Sequence, residues 1–166
     1  YHDRKAGIMS NFAKFETFPI WNLPVNHPVN IAYEAATADI GDYNCVDPFH
    51  KEAYGIDATN YNRDVENFSI IRKLIEKITP AGDPLADIKS PTDMGVNMAK
   101  EGIVDDSVVR QASIDEIVRR YYQYNRDFVE GNVTHDTLER MDRIMHLVNA
   151  KPEDRVVAIR ANKALE

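Results

Sequence analysis

Polar side chains gather at the starts of three predicted helices, near residues 27, 47 and 62. The unpaired N–H groups and the positive dipole end of a helix N-terminus favour phosphate or carboxylate. A guanidinium group can add a planar pair of hydrogen bonds to phosphate. If the three helix starts converge, these side chains form one cleft for an anionic ligand. The set consists of His27, Asp47, His50, Asn62, Arg63 and Asp64.

Two other interpretations of the same residues stay open. Asp47, Asn60 and Asn62 are residue types that commonly cap helices, so their role could be capping alone. Asp47 and His50 could instead offer a carboxylate and an imidazole to a metal ion, but two ligands do not make a site. The sequence contains no zinc-protease His-Glu-x-x-His motif, so we predict no metal site.

A further run of interest covers residues 90–98 (SPTDMGVNM). Ser90, Thr92 or Asp93 can cap a helix that Gly95 would weaken by about 1 kcal/mol relative to alanine. A glycine at that position suggests the close approach of a ligand or of another backbone. Close packing of the helix on a neighbour is the simpler explanation.

The composition indicates a folded domain and excludes some functions. The chain has 166 residues, of which 43% are hydrophobic and 28% are charged, as expected for one globular domain. Its net charge of −7 argues against general nucleic-acid binding. The single cysteine, Cys45, cannot form a disulfide within the chain, which fits a reducing compartment and a cytoplasmic protein. No stretch approaches the ~20 apolar residues of a membrane span, and the start at Tyr1 suggests a piece of a longer protein.

Apolar residues at helical spacing predict a mainly α fold of about six helices. Capping residues, prolines and glycines mark the ends of these helices, and a surface loop is predicted over 80–91. We expect any strand to lie in the first third of the chain, where alternating residues predict one over 12–21. A lone strand needs partners, so we assign residues 1–26 to a junction with a neighbouring α/β domain and residues 27–166 to a helical domain. Helices are predicted over 28–39, 47–55, 62–78 and 106–130, from Thr134, and from Pro152 onwards.

Several long runs resemble a bacterial family called domain of unknown function 1846. The resemblance extends across most of the chain, to about Tyr122. The runs are residues 14–24 (KFETFPIWNLP), 27–30 (HPVN), 32–39 (AYEAATAD), 47–50 (DPFH), 52–55 (EAYG), 60–66 (NYNRDVE) and 90–98 (SPTDMGVNM).

The resemblance implies a neighbouring domain but no known activity. Members of the family look longer and look as though they carry a P-loop-like segment just before the position of Tyr1. No nucleotide-binding or catalytic residue can be carried over, and the cofactor stays unknown, although a nucleotide bound mainly by that upstream segment is implied. Residues 14–39 would then lie at the junction, with Lys14, Glu16, His27 and Glu34 facing a cleft. Phe15, Phe18, Ile20 and Trp21 would pack the junction.

The sequence therefore predicts a helical domain that packs on a P-loop-like domain and lines a cleft for a phosphorylated or nucleotide-like ligand. The alternative is a purely structural or oligomerisation domain, in which the helix over 106–130 packs on a partner chain. A hydrolase that uses a metal at Asp47 and His50 ranks third. The expected partner is the rest of the same polypeptide, with a homo-oligomer as a further option, and neither nucleic acid nor membrane is expected.

Overall fold

The computed structural model describes residues 2–8, 10, 19–80, 82–94 and 98–151. Within these residues helices dominate, so the predicted mainly α class is confirmed. The predicted strand over 12–21 lies mostly outside the described residues, and the predicted last helix from Pro152 lies wholly outside them. The α-helices are α1 (His2–Lys5), α2 (Pro28–Ala36), α3 (Pro48–Tyr54), α4 (Asn62–Ile78), α5 (Asp106–Val129) and α6 (His135–Leu147). The strands are β1 (Asn44–Val46) and β2 (Thr59–Tyr61), and short 3-10 helices cover Pro84–Asp87, Pro91–Met94 and Ala99–Gly102.

Helices α2, α5 and α6 pack around one hydrophobic core. Met141, Ile144 and Met145 of α6 recur at the three- and four-residue spacing that places them on one helix face, and all three are buried. Burying a side chain of this size contributes about 1.5–3 kcal/mol. The hydroxyl of Tyr124 on α5 donates to the Ala36 carbonyl at 3.3 Å and to Asp39 Oδ1 at 3.2 Å. The rest of the core comprises Ile31, Ala35, Ala38, Ile117 and Val118.

Most predicted helix ends agree with the structure to within a residue or two. The side chain of Asp47 caps α3, and Gly55 ends that helix in the left-handed conformation with φ of 68°. Helix α2 stops at Ala36 rather than at residue 39, because Thr37 leaves helical geometry and its hydroxyl donates to the carbonyl of Glu34. The predicted loop over 80–91 includes the 3-10 turn Pro84–Asp87. A 3-10 turn at Pro91–Met94 begins the segment where a helix was predicted after Ser90, and Gly95 of that prediction lies outside the described residues.

The sequence did not predict the small antiparallel ribbon of β1 and β2. Cys45 pairs with Asn60 at its centre, between the pairs Asn44–Tyr61 and Val46–Thr59. Strand β2 lies beyond the first third of the chain, so the expectation that strands would be confined there was wrong. Strands of three residues are too short to show the alternation from which a strand is predicted.

The buried side chain of Asn30 ties the segment before α2 to that helix. Its Oδ1 accepts from the backbone N–H of Ile20 at 2.8 Å, and its Nδ2 donates to the carbonyl of Ile20 at 3.1 Å and that of Pro24 at 3.1 Å. Thr59 of β2 holds the same segment, because its backbone N–H donates to the Trp21 carbonyl and its hydroxyl to the Leu23 carbonyl. The domain boundary at residue 26 stays a prediction. No helix among the described residues is long and apolar enough to span a bilayer.

Candidate functional site

His27 lies where the N-terminal ends of α2 and α5 meet. Its Nδ1 accepts from the backbone N–H of Val29 at 3.2 Å and so caps α2. A ring nitrogen that accepts carries no proton, so the proton of the neutral ring is on Nε2. Nε2 then donates to Asp106 Oδ1 at 2.9 Å. Asp106 is the first residue of α5, so this buried imidazole joins the two helix starts.

A cavity of about 350 Å³ opens beside His27 and Asp106. Lys100 and Arg110 bring two positive charges to it, and Asp106 brings one negative charge. Arg110 Nε donates to Asp106 Oδ2 at 2.6 Å, and Lys100 Nζ donates to the Asn22 carbonyl at 3.3 Å. The hydrogen bond from Arg110, and secondarily that from His27, lowers the pKa of the Asp106 carboxyl. Leu23, Pro24 and Ile103 form the apolar part of the wall.

Asp47 is fully buried, and both of its carboxylate oxygens are used within the chain. Oδ1 accepts from the backbone N–H groups of Phe49 at 3.0 Å and His50 at 3.1 Å. Oδ2 accepts from the hydroxyl of Thr92 at 2.7 Å and from its backbone N–H at 3.3 Å. Asn60 Nδ2 completes the group by donating to the Thr92 hydroxyl oxygen at 3.2 Å. Asp47 therefore caps α3 and fastens the turn at Pro91–Met94 to it.

His50 belongs to a second polar group, which it forms with Ser90 and Asp93. Its Nδ1 lies 3.0 Å from Ser90 Oγ and 3.7 Å from Asp93 Oδ1. The other oxygen of Asp93 accepts from the Tyr54 hydroxyl and from the backbone N–H of Ser90, each at 3.0 Å. The ring of His50 also packs edge-on against Trp21, with the centroids 5.6 Å apart. Both His50 and Ser90 are buried.

The predicted residues at the start of α4 hold the ribbon in place. Asn62 exchanges two hydrogen bonds with Tyr43, in which its Oδ1 accepts from the Tyr43 N–H and its own N–H donates to the Tyr43 carbonyl, each at 3.0 Å. Arg63 Nη2 forms an ion pair with Asp42 Oδ1 at 2.6 Å. Asp64 is the acidic residue of the first turn of α4.

The structure thus distributes the predicted site residues among several local groups. Asp47 and His50 are joined by one hydrogen bond. His27 instead contacts Asp106, and Arg63 contacts Asp42, and neither of these aspartates was in the predicted set. Lys14 and Glu16 lie outside the described residues, and the ligand role of the whole set stays a prediction. Among the described residues, no group of three or more His, Cys, Asp or Glu side chains is placed to hold a metal ion.

Sequence reasoning missed Lys100 and Arg110 beside His27. Asp106 was identified only as a candidate cap of the long helix. The contact of Asp106 with His27 spans 79 residues of sequence, so no local pattern could indicate it.

Comparison with known proteins gives the family. The model of the N-terminal region of the domain of unknown function 1846 matches residues 1–149. A protein named UPF0371 from Fusobacterium nucleatum is 51% identical over 166 residues, which are 100% of this chain and 32% of that protein. Another of that name from Clostridioides difficile is 51% identical over 97% of this chain and 32% of its own length. One from Streptococcus uberis is 49% identical over 100% of this chain and 33% of its own length.

The chain spans about one third of the length of these curated relatives, so it corresponds to one part of a larger polypeptide. The relatives share the name of an uncharacterised bacterial family, and the matched model covers most of the chain. This chain belongs to the family of the domain of unknown function 1846, and it matches the model of the family's N-terminal region.

Proposed function

We propose that this domain lines a binding cleft for a phosphorylated or nucleotide-like ligand in a longer, cytoplasmic protein. In this proposal the helical domain packs against a P-loop-like domain of the same polypeptide, and the cleft lies at their junction. The observation that carries the proposal is the cavity beside His27, where two cationic side chains adjoin the starts of two helices.

The charge around this cavity favours an anion. With His27 neutral, the lining carries two positive charges and one negative charge, although the whole chain has a net charge of −7. The N-terminal ends of α2 and α5 add their positive dipole ends. Lys100 is exposed, and Arg110 engages Asp106 through Nε. A guanidinium group has further N–H donors, so Arg110 can contact phosphate while it keeps this ion pair.

The position of the cavity supports a junction site. Its wall includes Leu23 and Pro24, which belong to the segment assigned to the junction and fixed by Asn30. Ligand sites occur preferentially at domain interfaces. The predicted Lys14 precedes the same segment, and we include it as a further cation of the cleft. The other predicted ligand contacts require that the neighbouring domain extends the cleft as far as α3 and the start of α4. They are Asp47, His50, Asn62, Arg63 and Asp64.

A thermal-shift screen of the full-length protein tests this function. Nucleotides, sugar phosphates and inorganic phosphate are screened against their unphosphorylated counterparts at equal concentration. We expect at least one phosphorylated compound to raise the melting temperature where its counterpart does not, because a ligand that binds only the folded state stabilises it. A screen in which every phosphorylated compound behaves like its counterpart would count against the proposal.

An oligomerisation role is the second candidate, and one feature of α4 favours it. Ile70 and Leu74 stand one turn apart on this helix and are 69% and 57% exposed. An exposed apolar pair of this kind suits a contact with another protein surface. Sedimentation of the full-length protein with both residues changed to serine checks this role. A dimer that dissociates in the variant would support it, and an unchanged mass would exclude this surface.

A further inference from the structure

A second cavity, of about 420 Å³, lies between α2, α6 and the turn that joins α2 to β1. It shares no lining residue with the cavity beside His27. Two carboxylates and two guanidinium groups face it, together with an apolar wall. The charged residues are Glu34, Asp42, Arg140 and Arg143, and the apolar residues are Ala38, Ile144 and Leu147.

Two of these four charged groups are already engaged by the protein. Asp42 Oδ1 accepts from Arg63 Nη2 at 2.6 Å. Arg140 Nη1 donates to the Ala38 carbonyl at 3.1 Å, near the end of α2, and its guanidinium lies against the backbone of Gly41. A side chain at Gly41 would occupy this space, since a Cβ there would lie 2.5 Å from Arg140 Nη1. These contacts build one fixed side of the cavity.

The other two charged groups retain bonding capacity. Glu34 uses Oε2 to accept from the Asn44 N–H at 3.1 Å, while Oε1 accepts no hydrogen bond in the described part of the chain. Arg143 has no hydrogen-bond or ion-pair partner among the described residues. Burial raises the pKa of Glu34, and the Asn44 N–H and the positive charge of Arg143 oppose that rise. Both side chains line the cavity, yet no ion pair joins them.

We propose that this cavity binds a small zwitterion of the α-amino-acid type, with Arg143 contacting its carboxylate and Glu34 its ammonium group. Arg143 is a positive group and Glu34 a negative group, and both can form further hydrogen bonds. Together they match a ligand that carries one charge of each sign. A phosphate dianion suits this cavity less well, because Glu34 and Asp42 would repel it. The wall of Ala38, Ile144 and Leu147 favours an apolar side chain on the ligand.

Calorimetric titration of the full-length protein with three matched probes tests this site. L-leucine carries both charges, 4-methylpentanoate lacks the ammonium group, and 3-methylbutylamine lacks the carboxylate. L-alanine and L-phenylalanine are titrated in parallel to cover smaller and larger side chains. We expect at least one of the amino acids to bind, and each singly charged probe to bind about tenfold or more weakly than L-leucine.

Variants then locate the binding on the chain. Arg143→Gln removes the positive charge of an exposed side chain, and Glu34→Gln keeps an oxygen that can accept from the Asn44 N–H. Each is expected to weaken amino-acid binding by about tenfold or more, whereas Arg72→Gln, an exposed residue on α4, leaves it unchanged. The proposal is overturned if none of the amino acids binds, if a singly charged probe binds as well as L-leucine, or if Arg143→Gln binds like the wild type.

Discussion

The imidazole of His27 and the carboxylate of Asp106 meet at 2.9 Å and join the starts of two helices that are far apart in sequence. Because Nδ1 of His27 is occupied as the cap of α2, only Nε2 is left to reach α5. One buried side chain thus fixes both the local start of α2 and its position relative to the long helix. The cavity proposed for the phosphorylated ligand depends on this arrangement.

Replacing His27 by alanine should destabilise the domain. The substitution removes the cap of α2 and the hydrogen bond to Asp106, and we expect it to lower the free energy of unfolding by about 1–3 kcal/mol. Urea denaturation measures the change. His135→Ala is the matched control, because that histidine is exposed and its contact with Glu139 lies on the surface. A loss in His27→Ala no larger than in the control would contradict the capping role.

Asp47 should matter to stability more than its partner Thr92. Asp47→Ala leaves two N–H groups of α3 and the Thr92 hydroxyl without their acceptor, and we expect a loss of roughly 1–3 kcal/mol in the free energy of unfolding. Thr92→Val removes only the hydroxyl contacts and should cost about 1 kcal/mol. Chemical denaturation of both variants compares them, and equal losses would argue against the cap as the main role of Asp47.

Alanine substitutions at Gly41 and Gly131 distinguish the stability cost of backbone strain from that of a steric clash. Both have a positive φ, of 78° and 79°, but only at Gly41 would a Cβ meet Arg140. Gly131→Ala should therefore cost about 1–2 kcal/mol from strain alone. Gly41→Ala should cost more, because it also displaces Arg140 from the Ala38 carbonyl. Thermal unfolding of the two variants measures the difference, and a Gly41→Ala variant as stable as Gly131→Ala would show that Arg140 moves aside freely.

Ionisation of Tyr124 and Tyr61 should lower the stability of the fold at alkaline pH. Burial above all raises the pKa of each hydroxyl to about 12, and the negative charge of Asp39 adds to the effect at Tyr124. Since the folded pKa exceeds the unfolded value, the stabilisation is complete below about pH 10 and is lost as pH rises towards about 12. Tyr124→Phe should reduce this loss. Denaturation at a series of pH values checks it, and an unchanged alkaline slope in the variant would contradict this assignment.

Local features of the fold could be predicted from the sequence, and long-range ones could not. Asp47 and Gly55 bound α3 because caps and left-handed glycines act within a few residues. The contact of His50 with Ser90 spans 40 residues, and that of Arg140 with the Ala38 carbonyl spans 102. Such contacts depend on how helices pack, which no spacing of residue types reveals. The sequence therefore located the starts of α2, α3 and α4, but it identified neither Lys100 and Arg110 beside His27 nor Arg143 in the cavity lined by Glu34.

Trp21 offers a check on the proposed junction. It is half-buried, its backbone carbonyl is held by Thr59, and its ring contacts His50. If a neighbouring domain covers the junction, its fluorescence should be shifted further to the blue in the full-length protein than in this domain alone. Full-length variants in which other tryptophans are replaced isolate its signal. Equal emission maxima would mean that the neighbouring domain does not cover Trp21.

The central claim concerns the cavity beside His27, and calorimetric titration tests it most directly. The full-length protein and its Lys100→Ala and Arg110→Ala variants are titrated with the phosphorylated compound that gives the largest thermal shift. Each variant should bind about tenfold to a hundredfold more weakly, as expected for the loss of a charge-assisted hydrogen bond. The control Arg72→Ala with Lys73→Ala, an exposed basic pair on α4, should bind like the wild type. Unchanged affinity in both Lys100→Ala and Arg110→Ala would contradict the account.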